Sequence, residues 1–319
     1  MQRFFRSALL FFSLLALGLA AHAQQEGPVP TQTLVNMDAK STPPASASVL
    51  TVSVNDHKEP LSAWSPVLPA NAQVALLIDD GLRESVGREI DNLRKFVRTL
   101  PPGVEVLIGF MQYGHVVADQ PFTSDHELAA SSVHLPGGLP GMSASPYLCL
   151  SDFVKKWPGS RSSGSVADTG APATHKARFV LMISNGVDPY NGSTSMMNQG
   201  SPYVDAAVKD AQRAGVTVYA IYYGDAGIRG GSADNSGQNY LQQLTQATGG
   251  TSFWEGSGNP VSMAPFLGMF QHAIAETYVA TFTAPANDNP QKDLVRVKIS
   301  APNTKLHAPD EVRAGNHEQ

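Results

Sequence analysis

Two apolar runs, Gln73–Ile78 (QVALLI) and Arg178–Ile183 (RFVLMI), end abruptly at polar turns, Asp79-Asp80-Gly81 and Ser184-Asn185-Gly186. A strand with one buried face alternates apolar and polar residues, whereas a strand covered on both faces reads as an unbroken Val/Ile/Leu run. Both runs are of the second kind. The fold class they predict is α/β: a doubly wound, mostly parallel central sheet with helices on both faces. Ligands of such open sheets bind in the crevice beyond the carboxyl ends of the strands, so the two polar turns are the first place to look for function.

The flanking pattern agrees. Behind the first run, Val86, Ile90, Leu93, Phe96, Val97 and Leu100 recur at helical spacing until Pro101-Pro102-Gly103, and Val104–Phe110 is the next strand. His115–Phe122 follows too closely for a helical crossover and should pair antiparallel as an edge strand. A helix opened by an aspartate cap is expected over Asp125–Val133, a Gly/Pro loop over Leu135–Ser145, and a further helix over Pro146–Trp157. After the second run come helix 202–214, strand Val216–Tyr222, the loop Gly224–Gly237, helix 238–247, the short strand Thr251–Trp254 and a helix carrying Phe266, Leu267, Phe270 and Ile274. The tail differs: Glu276–Thr283, Leu294–Ser300 and Lys305–Val312 alternate like antiparallel strands with no helix between them.

At the amino end, Arg3 and Arg6 precede the apolar stretch Ala8–Leu19 and the small-residue site Ala21-His22-Ala23, the form of a secretory signal peptide over residues 1–23. Its apolar part is shorter than the roughly 20 residues a spanning helix needs. The expected address is export, periplasmic or extracellular, with no transmembrane segment in the mature chain. Gln24 to about Ala47 is rich in Pro, Ser, Thr and Gln and reads as a flexible linker over 24–48. Val49–Val54 alternates as a strand, and Glu59–Pro69, with three prolines, reads as a loop. Without Arg3 and Arg6, 20 basic residues face 27 acidic ones, a formal charge of about −7, which argues against nucleic acid as a partner. Cys149 is the only cysteine. It provides no disulfide framework, and its place in a helical pattern reads as a small buried hydrophobe rather than a nucleophile.

The segments VALLIDDG, PPGVEVLIGFMQYG, GLPGMSASP, RFVLMISNGVD, AGVTVYAIYYG and LTQATGGTSFW, in this order, resemble the von Willebrand factor A (VWA) domain, particularly its bacterial secreted branch. The tail from Tyr278 to Pro309 is similar to the β-extension that follows the domain in bacterial relatives. The resemblance covers roughly residues 49–315 and rests on the order of the segments rather than on any one of them. It implies a VWA-like domain over 49–275, with its core from about 70, and a C-terminal β-extension over 276–319.

Such domains usually carry a metal-ion-dependent adhesion site: Asp-x-Ser-x-Ser after the first core strand, a Thr in a second loop, and Asp before Gly after the fourth strand. Asp79 matches the first position. Gly81 and Arg83 stand where the two serines belong, Ser143 or Ser145 takes the place of the Thr, and Asn185 replaces the second aspartate. Two hydroxyls and one carboxylate are thus missing from a set that must satisfy near-octahedral Mg²⁺. The resemblance therefore implies a degenerate site with no cofactor; if a metal bound at all, Asp79, Ser143 and Asn185 would hold it. Arg83 reads either as a replacement for the cation, paired with Asp79 or Asp80, or as a solvated side chain in the first turn of a helix.

There is no His-Glu-x-x-His, Gly-x-Ser-x-Gly, Walker loop or dinucleotide fingerprint. His115, His126 and His134 read as solvated surface histidines. Asp79, Asp80 and Asp188 read as caps of the turns that follow their strands, with an acid–base pair as the alternative. Tyr190, Met196, Met197 and Tyr203 form a candidate apolar contact patch. The function these residues suggest is a non-enzymatic adhesion module. It would bind a protein partner, with no metal required, through the rim Asp79, Asp80, Gly81, Arg83, Ser143, Ser145, Asn185 and Asp188. The alternatives are a metal-dependent adhesion module with a variant site, a periplasmic metal-assisted hydrolase, and a structural envelope component.

Overall fold

A computed structural model describes residues 27–38, 46–82, 84–138, 144–159, 174–191, 200–224, 231–256, 258–286 and 292–318. The expected signal peptide, 1–23, lies outside them. In chain order the strands are β1 (Pro28–Asp38), β2 (Thr51–Val54), β3 (His57–Glu59), β4 (Ala63–Pro66), β5 (Ala72–Asp79), β6 (Glu105–Gln112), β7 (His115–Thr123), β8 (Thr174–His175), β9 (Ala177–Ser184), β10 (Val216–Tyr222), β11 (Ser252–Phe253), β12 (Thr277–Pro285), β13 (Leu294–Ser300), β14 (Lys305–His307), β15 (Glu311–Arg313) and β16 (His317–Glu318). The α-helices are α1 (Ile90–Arg98), α2 (His126–Ser131), α3 (Pro146–Lys155), α4 (Pro202–Arg213), α5 (Gly231–Ala247) and α6 (Ala264–Ala275).

The central sheet has the order β11-β10-β9-β5-β6-β7. All its pairs are parallel except β6 with β7, so the expected mixed sheet with one antiparallel edge is present. The two apolar runs are β5 and β9, lying side by side at its middle with Ile78 opposite Ile183. Their unbroken apolarity has a direct cause. Val74, Leu76, Ile78, Phe179, Leu181 and Ile183 pack on one face with residues of α1, α2 and α6. Ala75, Leu77, Val180 and Met182 pack on the other with residues of α3, α4 and α5. From β5 the chain moves one way to β6, and from β9 it moves the other way to β10, so the strand order reverses between β5 and β9. Helix starts follow local rules: Asp125 accepts from Leu128 N at the head of α2, and Ser201 accepts from Tyr203 N and Val204 N ahead of Pro202 in α4.

The doubly wound description holds for this sheet and not for the whole chain. Two antiparallel sheets, β14-β1-β12-β4 and β15-β13-β2-β3, make up the rest, with a short β16-β8 pair. They share a core of Val35, Val52, Val54, Ala280, Phe282, Ala284, Val295, Val297, Ile299 and Val312. The flexible linker expected over 24–48 is corrected here, since Pro28–Asp38 is an eleven-residue strand paired with β12 from Pro28 to Asn36 and with β14 from Asn36 to Asp38. Its composition is polar, but Thr and Val suit a pleated surface, and burial on both sides lets Leu34 join the central core while Val35 joins the sandwich core. The expected β-extension is therefore not purely C-terminal, because residues 28–66 supply half of its strands. The loop expected at Glu59–Pro69 contains β4, which pairs with β12. The segment Lys305–Val312 divides into β14 and the start of β15, in different sheets. Likewise α5 begins at Gly231, within the segment read as a loop up to Gly237.

Candidate functional site

The reversal between β5 and β9 brings the two polar turns together at the carboxyl end of the sheet, the position where open α/β sheets place their ligands. Asp79 is buried, and its oxygens serve the local backbone and the neighbouring strand: Oδ1 accepts from Gly81 N at 2.9 Å and Oδ2 from Ser184 Oγ at 2.7 Å. Ser184 Oγ in turn accepts from Gly186 N at 2.9 Å. Asn185, also buried, accepts from Val187 N through Oδ1 at 2.9 Å. Asp188 accepts from Tyr190 N at 3.1 Å and from Ser201 Oγ at 2.7 Å, which ties the turn after β9 to the cap of α4. Asp80 Oδ1 accepts from Gly138 N at 2.8 Å. Gly138 is required there, since a Cβ would lie 2.2 Å from Asp80 Oδ2.

The turn after β9 is closed from above. Gly186 adopts φ +67°, in the left-handed region, and a Cβ on Gly237 of α5 would meet the Asn185 carbonyl oxygen at 2.1 Å. Helix and turn therefore touch backbone to backbone, which only glycine permits. Beneath them Tyr147 donates from its hydroxyl to Gly186 O at 2.8 Å and meets Tyr240 edge to face at 6.2 Å. Burial pushes the Tyr147 hydroxyl well above the ordinary tyrosine range, and the charges of Asp188 and Asp79, with Tyr240, add to the rise. Tyr147 is thus a donor that does not ionise, fixed under both acidic turns.

The predicted rim residues Asp79, Asp80, Gly81, Asn185 and Asp188 are brought together on two adjacent turns. Ser145 begins α3; its hydroxyl is fully buried with no hydrogen-bond partner among the described residues. Arg83, Ser143, Met196 and Met197 lie outside the described residues. Of the apolar patch, Tyr190 is exposed and its ring stands 6.2 Å from that of Tyr203. The capping reading matches the bonds of Asp79 and Asp188, whereas Asp80 accepts from the distant Gly138 amide rather than from the turn that follows its strand. Reasoning from sequence missed Ser184, Ser201, Tyr147, Gly138 and Gly237. Ser201 before Pro202 carried a helix-cap signal, whereas the reach of Tyr147 across to β9 had none.

As a divalent-ion site the set fits poorly. Both Asp79 oxygens and Asn185 Oδ1 already accept from the chain, and Gly81 offers an amide where the family pattern has a hydroxyl. Cys149 is buried, and its thiol is pushed up to about 12, by burial first and then by Asp79, which leaves no thiolate for chemistry. The three histidines are less free than expected. His126 Nε2 lies 2.8 Å from Val104 O, His115 Nδ1 3.0 Å from Asp152, and His134 Nε2 2.6 Å from Asp119.

No family model matches the sequence, and no curated protein matches it either. Among solved structures the chain is similar to an aerotolerance-related membrane protein of Bacteroides fragilis, at 11% identity over 64% of this chain and 98% of that one, with a TM-score of 0.38. It is also similar to the SpRpn10 VWA domain, at 10% identity over 64% and 97%, TM-score 0.38. A third likeness is the ArnB paralog VWA2 of Sulfolobus acidocaldarius, at 8% identity over 91% and 76%, TM-score 0.36. These likenesses concern chain path alone; what the rim can do follows from its own residues.

Proposed function

We propose that this protein is an exported, non-enzymatic VWA-like adhesion module that binds a protein partner through the loops at the carboxyl edge of its central sheet, without a divalent ion. One observation carries the reading: the acidic side chains at the strand ends are committed to holding the turns in shape. Asp79 spans Gly81 and Ser184, Asp188 spans Tyr190 and Ser201, and Asp80 holds Gly138. Each Asp79 oxygen already spends one of its two lone pairs on a short bond from the chain, so its orientation is set by the turn and the neighbouring strand rather than by a converging set of metal ligands. What the rim offers a partner is instead a rigid surface with the exposed Tyr190 beside it, and aromatic side chains are favoured at the centres of protein interfaces.

The test is retention of a partner from envelope extract by the mature chain, with and without chelator. Retention in both conditions is expected, and loss on chelation would overturn metal independence. Arg83→Glu should weaken the retained complex by about tenfold, near 1.4 kcal/mol, while Lys292→Glu, in the tail, should leave it unchanged. Equal effects would move the binding surface away from the rim. A panel of ester, phosphate and peptide substrates with added divalent ions tests the enzyme alternative, for which no turnover is expected.

A further inference from the structure

His134 is held in a way that only one of its charge states can satisfy. Its Nδ1 lies 2.8 Å from Leu135 O and its Nε2 2.6 Å from Asp119 Oδ2 on the edge strand β7. Both partners are acceptors only. A neutral imidazole has one N–H and can serve one of them, whereas the imidazolium donates to both. The ring also stacks on Phe110 of β6, with centroids 4.3 Å apart and planes at 17°, so it cannot turn away without losing that contact.

The segment His134 pins is the one that reaches the candidate site. Four residues on, Gly138 donates its amide to Asp80 Oδ1 at 2.8 Å, and one residue back, Val133 O accepts from Arg94 Nε of α1 at 3.0 Å. The charges acting on the ring are Asp119 from β7 and Asp80 from the turn after β5; β6 contributes only Phe110. Arg94, the cation that approaches the segment, is engaged with the Val133 carbonyl and lies 3.5 Å from Asp91.

We propose that His134 is a proton-operated latch: as imidazolium it fastens the 133–138 segment to the edge strand and so holds the Gly138 amide on Asp80, making the shape of the rim depend on pH. Its functional consequence rests on the rim being the binding surface, as read above; the latch itself does not. The histidine is raised above its ordinary value of 6.5, by the Leu135 carbonyl first, then by Asp119 and Asp80, against the opposing effect of burial. A group raised on folding stabilises fully below its unfolded value and loses that contribution as pH rises through the folded one. The latch is therefore closed on the acid side and opens on the alkaline side.

The experiment is a pH titration of the full mature chain by NMR, without any partner, following the His134 ring and the protection of the Gly138 amide corrected for intrinsic exchange. The His134 midpoint is expected above 6.5, and Gly138 protection should fall by about tenfold across that same midpoint. Asp119→Asn should lower the midpoint. His134→Phe, which keeps an aromatic ring on Phe110, should abolish the pH step at Gly138 while other core amides stay protected. A midpoint at or below 6.5, or a Gly138 amide indifferent to it, overturns the latch. Because no partner is present, that failure is separate from a failure of the rim to bind.

Discussion

In the central sheet, β5 and β6 are joined through a single helical crossover, and β6 and β7 through a two-residue turn. In the paired antiparallel sheets β2 and β3 form a local hairpin, but the sheets are closed by pairings between opposite ends of the chain: β1 pairs with β12, β2 with β13, and Gln32 Nε2 donates to Thr281 Oγ1 across 249 residues. The first region announces itself in the sequence because each strand, buried on both faces, must be apolar throughout. The second does not, because its strands come from opposite ends of the chain and only alternate positions need be apolar. The two regions are nevertheless joined. Leu34 and Val279 pack into the central core, Asn36 Nδ2 donates to Ala273 O at the end of α6 at 2.7 Å, and Arg213 of α4 donates to Asp293 at 3.0 Å.

That junction can be broken from either side. Leu76→Ala removes a fully buried side chain from the middle of the central sheet, and Phe282→Ala does the same in the sandwich. Each should cost about 3 kcal/mol in denaturant unfolding. If the shared contacts make one cooperative unit, both variants lower the midpoint of a single transition. Fluorescence from Trp64, which packs on the sandwich core, and from Trp157, in the central core, should then report the same curve. Two separated transitions would show that the regions unfold independently.

The same contrast explains what could be read in advance. The six-stranded sheet and the meeting of the two polar turns were legible because QVALLI and RFVLMI, bounded by turns and alternating with helical patterns, read as doubly buried strands, and the antiparallel edge because His115–Phe122 follows β6 too closely for a helical crossover. The strand β1 was not, because PVPTQTLVNMD has the composition of a tether and becomes a strand through partners far along the chain. At the site, the acidic turn residues were visible by type and spacing. What each carboxylate binds was not, since Ser184 and Ser201 act through rotamers and loop closure that no periodicity encodes.

A smaller effect sharpens the account of the turns. Asp79→Asn keeps one acceptor and replaces the other with an amide that cannot accept from Ser184 Oγ. The expected loss is about 1–3 kcal/mol, measured by thermal or denaturant unfolding in chelator. A vacant metal ligand would behave oppositely, because neutralising one member of a cluster of uncompensated carboxylates relieves repulsion. A neutral or stabilising Asp79→Asn in chelator would therefore return the site to a metal-binding reading.

The smallest effects come from two carboxyls displaced in opposite directions, one in each region. Burial acts to raise Glu105, but hydrogen bonds from Lys176 and Gln73, with the charge of Lys176, outweigh it, and the group is lowered. Lys176 Nζ and Gln73 Nε2 stand 2.9 and 2.8 Å from its oxygens. Its contribution is present above the ordinary carboxylate value and lost as pH falls through the folded one. Asp310, beside the sandwich, is raised by burial and by Glu311. It binds its proton more tightly folded than unfolded, so it favours the native state in acid and weighs against it once ionised. Glu105→Gln should flatten the acid limb of the stability profile, and Asp310→Asn should raise stability near neutral pH. Both groups are partly solvated, so each change should be no more than about 1 kcal/mol. The signs decide the matter, since like changes in both variants would mean that the two carboxyls do not sit in the opposed settings of bonded pair and crowded acid.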